Sequence, residues 1–492
     1  MKNKDAFKKW ILNNMGERSN AGPSYLTSLE WLSEKFYQKG KIETKSIYNV
    51  ESTDLIESLY TEVLQIQKDK SSYIFNNNAP GYGNKGFYSA SLAKYNEFLK
   101  YKLNSSPVFV EKKEFNVEFF QNDLSSSGLR YTKVLNIRFT ASLITKPFVI
   151  LTGLSGSGKT KLAQAFVQWI CQDNNQYSII PVGADWTNRE PLLGYPNALD
   201  AKEYVKPDSK ALDLIIKANE NKDLPYFLIL DEMNLSHVER YFADFLSIME
   251  SEDSITLYSG AVRNSSDGLL IPSKVDWPKN LFMIGTVNID ETTYMFSPKV
   301  LDRANVIEFR ISKAELEMYL GSNQTINFSM LKGKGANMAA DFVKLAKGSD
   351  FGIDDDRRLN EALVNFFIEL KKTGAEFGYR SVSEIRRFVG IAKKLDPDWD
   401  FDSVIDAAIM QKLLPKLHGS RSKLVGVLET LARICLNDSK DTNVRETYFD
   451  AFKKVELDLL ADKNVKFPIS LEKICRMHKN VVDNGFTSYA EA

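Results

Sequence analysis

Apolar positions recur at helical spacing through the first hundred residues, with Leu26, Leu29, Trp31 and Leu32 on one stripe and Leu55, Ile56, Leu59 and Tyr60 on another. A polar, glycine-containing break follows at 76–86. This pattern predicts a mainly helical first domain. Between 104 and 140 the apolar positions alternate around Val108 to Phe120, after Pro107 and before a turn-like cluster from Asp123 to Gly128, which predicts a β-containing lead-in. From Lys146 the texture changes to short β-rich runs separated by helical stretches: Phe148 to Leu151, Ser178 to Val182, Tyr226 to Leu230, Leu281 to Val287 and Val306 to Phe309. Such alternation marks an α/β unit built on a mostly parallel sheet. Beyond Ile311 the helical period dominates, in Leu363 to Lys371, Ser383 to Lys393, Ala407 to Leu417 and Lys423 to Leu436. The expected organisation is a helical domain at 1–105, an α/β domain with its lead-in at 106–310, and a helical lid and C-terminal region at 311–492.

Composition adds bounds. A chain of 492 residues, 43% hydrophobic and 26% charged, is a folded protein of several domains. Lys and Arg total 64, as do Asp and Glu, so a strongly basic nucleic-acid binder is excluded for the chain as a whole and any such surface is local. Cys171, Cys435 and Cys475 lie far apart on apolar helical patterns, which suits buried thiols in a reducing compartment rather than a disulfide framework. No run of about 18 apolar residues occurs, and the first ten residues lack the apolar core of a signal peptide. A cytoplasmic protein without a membrane segment is expected.

Chemistry enters at Gly153-Leu154-Ser155-Gly156-Ser157-Gly158-Lys159-Thr160, which follows a predicted strand and opens the apolar helical run Leu162 to Ile170. This is the Walker A pattern in its proper context. Glycines let the loop wrap closely round phosphates with its N–H groups turned inward, and the helix N-terminus adds a favourable dipole. Gly153, Ser155, Gly156, Ser157, Gly158, Lys159 and Thr160 are therefore the candidate nucleotide-binding residues, with Lys159 reaching the β/γ-phosphates and Thr160 ligating Mg²⁺. Some 70 residues on, the apolar strand Tyr226 to Leu230 ends in Asp231-Glu232. That reads as Walker B, with Asp231 in the Mg²⁺ shell and Glu232 orienting and deprotonating the attacking water.

With these two elements placed, the segment from Lys146 to Phe309 resembles an AAA+ ATPase module, in particular the branch of McrB restriction NTPases and MoxR-like proteins. The resemblance implies an α/β P-loop fold with a helical lid. It makes Asn288, at the end of the run Leu281 to Val287, the γ-phosphate sensor. Arg303, in Lys299-Val300-Leu301-Asp302-Arg303-Ala304-Asn305, becomes the arginine finger that completes a neighbouring subunit's site, with Arg310 as the alternative. In Phe377-Gly378-Tyr379-Arg380-Ser381-Val382-Ser383-Glu384-Ile385, Arg380 takes the sensor 2 position, Arg386 and Arg387 being its competitors. Self-association into a ring follows, a hexamer by family resemblance.

Three further stretches carry the McrB likeness: Gly183 to Tyr195, Asp231-Glu232-Met233-Asn234 and Leu414 to Ser420. The similarity spans roughly residues 110–492 and implies the NTPase of a DNA restriction or anti-phage defence system, driving a separate McrC-like nuclease subunit. One departure is Val287-Asn288-Ile289-Asp290-Glu291-Thr292, which stands where McrB has Met-Asn-Thr-Ala-Asp-Arg. McrB's preference for GTP is therefore not carried over, and ATP, the default of the wider class, ranks first. The chain shows no nuclease constellation. Its three histidines, His237, His418 and His478, are read as structural, the last near an exposed helix end. Residues 1–105 hold fifteen Lys and Arg against eleven Asp and Glu, and Ala79 to Leu92 sets Tyr82, Phe87, Tyr88 and Lys85 in a glycine-rich loop suited either to stacking on bases or to packing the loop on its own core. That makes a DNA-reading first domain the leading expectation. A MoxR-like scaffold that remodels protein clients is the alternative.

Overall fold

The computed structural model describes residues 3–15, 21–69, 71–75, 86–105, 113–251, 253–289, 294–311, 316–317, 320, 325–349, 351–438, 443–454 and 457–490. The chain divides into two compact units, Met1–Val110 and Glu111–Ala492, each with its own apolar core.

The first unit packs the helices Lys4–Met15, Ala21–Gln38, Thr53–Ile66 and Phe87–Ser105. An aromatic cluster fills its centre: Phe7 meets Tyr95 edge-on at 5.3 Å and Phe98 at 5.4 Å. Ring contacts of this kind add to the area they bury.

In the second unit five parallel strands form the central sheet: β1 (Phe148–Gly153), β2 (Tyr177–Pro181), β3 (Tyr226–Asp231), β4 (Leu281–Asn288) and β5 (Asn305–Phe309). They lie in the order β5-β1-β4-β3-β2. Each coincides with one of the apolar runs. Every residue of β1 and β4 is buried, as expected of parallel strands covered on both faces.

The expected β lead-in is a pair of helices instead. Among the described residues before β1, Val117–Ser126 and Lys133–Thr145 are helical. Side chains cap both: Asn116 accepts from the Glu118 N–H at 2.8 Å, and Thr132 from the Leu135 N–H at 3.2 Å. Val117, Phe120 and Leu124 are buried at i, i+3 and i+7, a helical stripe, whereas Phe115, Val117 and Phe119 are the set whose two-residue spacing imitates alternation. The alternating positions at 108–112 lie outside the described residues.

Helices dominate after β5, and buried polar contacts fasten them to the sheet. Glu308 on β5 accepts from Lys473 Nζ at 3.2 Å and from Arg476 Nη1 and Nη2 at 2.8 and 2.9 Å, on the helix Pro468–Asn484. Those cations hold the Glu308 carboxylate below its usual range against the opposing effect of burial. The region also contains a short antiparallel pair, His418–Ser420 with Phe486–Ser488, so His418 opens a strand.

His478 is buried rather than near an exposed helix end. Its ring stacks on Phe449 at 3.9 Å, and neither ring nitrogen finds a hydrogen-bond partner among the described residues. Burial, reinforced by Lys453 and Arg445, depresses its pKa to about 4. A depressed histidine contributes stability above the unfolded pKa and loses it as pH falls toward the folded one. Wild-type protein is therefore expected to lose on the order of 2 kcal/mol between pH 7 and 4.5 that His478→Phe does not lose. Thermal unfolding of both proteins across that range checks this; parallel curves would exclude the assignment.

Candidate phosphate and metal site

The phosphate loop starts where β1 stops. Gly153 has φ +149°, and a Cβ there would lie 2.4 Å from the Phe309 carbonyl oxygen on β5, so only glycine lets the chain leave the sheet at this point. Gly156 and Gly158 have φ +76° and +94°, and a Cβ on Gly156 would meet nothing within 4 Å. The loop is thus open on that side. Lys159 is buried and donates from Nζ to the carbonyls of Gly153 at 2.9 Å and Leu154 at 2.7 Å, which folds the ammonium into the loop. Helix Lys159–Ile170 then presents its N-terminus to the same hollow.

Strand order brings the acidic pair alongside. Asp231 Oδ1 accepts from Thr160 Oγ1 at 2.7 Å and from Thr286 Oγ1 at 2.6 Å. The Glu232 N–H donates to the same Thr286 hydroxyl at 3.0 Å, and Glu232 Oε1 accepts from Asn288 Nδ2 at 3.2 Å. Glu232 is one of only two described non-glycine residues with positive φ, at 54°. Left-handed backbone costs roughly 1–2 kcal/mol, and such strain gathers at functional sites.

Thr160 and Asp231 offer two adjacent hard oxygen donors and no nitrogen or sulfur. Among the described residues no group of three or more His, Cys, Asp or Glu could hold a metal. A cation here would complete its shell from phosphate oxygens and water, the habit of Mg²⁺. The residues present therefore suit Mg²⁺ carried with a nucleotide.

Two contacts escaped the sequence. Thr286 couples Asp231 to the Glu232 backbone, yet within its strand it is one small residue among apolar ones. Tyr131 donates its hydroxyl hydrogen to the Gly158 carbonyl at 2.8 Å and fills the space a Cβ on Gly158 would need. Nothing local in the sequence signals either contact, because both arise where distant segments meet.

The arginines are elsewhere. Gly153 pairs with Phe309 at the carboxyl edge of the sheet, so the loop and β5 end together, and β5 rises about 13 Å from its start. Arg303 lies beyond the amino end of β5, where its buried guanidinium donates to the carbonyls of Leu246 at 2.6 Å and Lys299 at 2.7 Å and pairs with Glu250. Arg380 is beside it rather than at the phosphate loop of its own chain, donating to Glu250 Oε1 at 2.6 Å, Glu384 Oε1 at 3.2 Å and the Asp302 carbonyl at 3.1 Å. The start of helix Tyr379–Leu395 thus holds Arg380 against the residues that precede β5. Arg310, by contrast, directly follows β5 at the loop edge and pairs with Glu472. Arg386 pairs with Asp356 at 2.8 Å, and Arg387 caps carbonyls of Thr145 at 3.1 Å and Ala346 at 2.7 Å.

In the first unit, Tyr82 and Lys85 lie outside the described residues. Tyr88 is fully buried, so its ring is no open stacking platform, and the part-buried Phe87 packs on Tyr25 at 5.6 Å. No helix among the described residues is long and apolar enough to cross a membrane.

Residues 327–486 match a domain of unknown function (DUF8727). No curated protein matches the chain. Among solved structures, a candidate ATPase from Cytophaga hutchinsonii is 15% identical, with 61% of this chain and 88% of that chain covered and a TM-score of 0.40. NtrX from Brucella abortus in complex with ADP is 12% identical over 74% of this chain and 67% of its own, with a TM-score of 0.25. The Saccharomyces cerevisiae Hsp104–ADP complex is 16% identical over 63% and 56%, with a TM-score of 0.27. These likenesses are distant, and the sheet itself speaks more directly. Its order, with the phosphate loop leaving β1, Asp231 and Glu232 at the end of β3 and Asn288 ending β4 between them, makes the second unit an α/β P-loop module with helical regions around it.

Proposed function

We propose that this protein is a Mg²⁺-dependent nucleoside triphosphatase that hydrolyses ATP within a ring of its own copies and drives a separate nuclease subunit in a McrBC-like restriction or defence system. The single observation behind the hydrolase reading is the network that joins Thr160, Asp231, Thr286, Glu232 and Asn288 beside an open phosphate loop. Lys159 and the loop N–H groups hold the phosphates, while Thr160 and Asp231 hold Mg²⁺, which when bound neutralises charge on the phosphoryl oxygens. Glu232 takes the proton of the attacking water, and Asn288 steers the Glu232 carboxylate.

Support for a ring comes from the position of Arg303, which lies past the far end of β5 from its own phosphate loop, so that an arginine finger at this position would act on the loop of another copy. The restriction reading leans on the likeness at Gly183 to Tyr195, which follows β2 beside the acidic pair: the Val182 N–H donates to the Asp231 carbonyl at 3.0 Å. A protein-remodelling role is favoured by a different feature, the exposed apolar side chains Leu199, Val262 and Leu270 on short hairpins tied by the Asn264 N–H to the Lys202 carbonyl.

Phosphate release from ATP and GTP, measured over a range of protein concentrations, tests the core of the proposal. Turnover per subunit is expected to rise with concentration, and to do so with ATP; a rate independent of concentration would remove the ring. Binding of the full chain to duplex DNA at low salt separates the two roles, since undetectable affinity there counts against restriction.

A further inference from the structure

Glu250 lies in the last turn of the helix Ala243–Ser251 with its side chain half exposed. One carboxylate oxygen pairs with Arg303 and the other takes Arg380 Nη1 at 2.6 Å, so a single anion bridges two guanidiniums from distant parts of the chain. Three lysines stand close by. Lys412 donates to the Asp302 carbonyl at 2.9 Å, Lys146 to the same oxygen at 3.4 Å, and Lys416 pairs with the Asp302 carboxylate at 2.5 Å. Glu384 answers Lys146 and Lys412. Five cations thus face three carboxylates, and Glu250 is the carboxylate that holds both arginines.

Two arginines gripping one anion through separate oxygens is the arrangement that recognises a phosphoryl group. Burial fixes the interior of the cluster, since Arg303 and Lys412 are almost inaccessible, whereas Arg380 and Glu250 have 39% and 49% of their side chains open. Any incoming anion would enter at Glu250.

We propose that Glu250 is an internal counter-anion that occupies the place of a second copy's phosphoryl group between Arg303 and Arg380, keeping the unassembled chain inactive until a neighbour's nucleotide displaces it. This rests on the reading that Arg303 acts in trans, and it makes Arg380 the partner of Arg303 in that site. A competing anion raises the concentration of subunits needed for activity without lowering the maximal rate. A carboxylate that merely oriented the arginines would do the reverse, since losing it would lower the maximal rate.

Steady-state ATP hydrolysis by wild type, Glu250→Gln, Glu250→Asp, Arg303→Lys and Arg380→Lys, titrated against protein concentration, decides between them. Glu250→Gln is expected to reach half-maximal activity at roughly tenfold lower protein concentration, the scale of a lost charge-assisted hydrogen bond, with its maximal rate at least that of wild type. Glu250→Asp, which keeps the charge, should stay near wild type. A fall in maximal rate with Glu250→Gln, or an unchanged half-maximal concentration, overturns the proposal while the arginine variants still lose turnover. If Arg303→Lys and Arg380→Lys keep wild-type turnover, the trans reading itself fails, and the counter-anion with it.

Discussion

Glu232→Gln is expected to lower ATP turnover by about 10² to 10⁴-fold while nucleotide binding stays within a few-fold of wild type. The substitution is nearly isosteric, and the backbone that matters is held independently of the side chain: the Glu232 N–H rests on Thr286 Oγ1 at 3.0 Å, and Thr286 is itself fixed to Asp231 at 2.6 Å. A glutamine amide oxygen can still accept from Asn288 Nδ2, as the carboxylate does at 3.2 Å. It cannot take a proton from water. Loss of turnover with retained binding would therefore isolate the proton-accepting step from the architecture. Phosphate release and fluorescent-nucleotide titration on the same preparation give the two numbers. Turnover that survives the substitution would move the base to another residue. Asp231→Asn is the contrasting case, because Oδ1 of Asp231 serves Thr160 and Thr286 together and its loss should weaken Mg²⁺-dependent binding as well.

How much of this was legible in the residues depends on how far each feature reaches. β1 to β5 could be read because parallel strands buried on both faces are written as unbroken apolar runs, and the phosphate loop because its glycines, lysine and threonine are neighbours. The end of β3 carries its own acidic pair. The lead-in reads as a strand because Phe115, Val117 and Phe119 stand two apart over a short window, while the caps Asn116 and Thr132 that start both helices are ordinary polar residues in sequence. Thr286 and Tyr131 were invisible for another reason: a hydroxyl becomes part of a site only when the sheet register or a helix junction delivers it. Arg380 shows the same limit from the other side. Its segment could be matched to a motif, but which sheet edge the helix Tyr379–Leu395 meets is set by packing, including the Arg387 contacts to the carbonyls of Thr145 and Ala346, and no local pattern encodes it.

The position of Arg303 leads to the second large effect. Alone, Arg303→Lys should reduce turnover by about 10³-fold or more, the scale of an arginine that stabilises a transferring phosphoryl group, because lysine cannot bond the carbonyls of Leu246 and Lys299 and also present a planar fork. Arg303 is buried, so a loss of activity by itself would be ambiguous between a damaged fold and a missing catalytic charge. Mixing removes the ambiguity. Glu232→Gln supplies an intact Arg303, and Arg303→Lys supplies an intact Glu232, so an assembly containing both forms interfaces in which one subunit's acid faces the other's arginine. In a head-to-tail ring assembled at random from equal amounts, about one interface in four has that composition. Two inactive proteins should therefore regain turnover when combined, on the order of a quarter of wild type, and lose it again on dilution below the assembly concentration. A subunit that completed its own site could show no such recovery, since each copy would carry its defect with it. Recovery on mixing would also place the working unit of this protein at the junction between two copies, where the phosphate loop of one meets the amino edge of the sheet of the next.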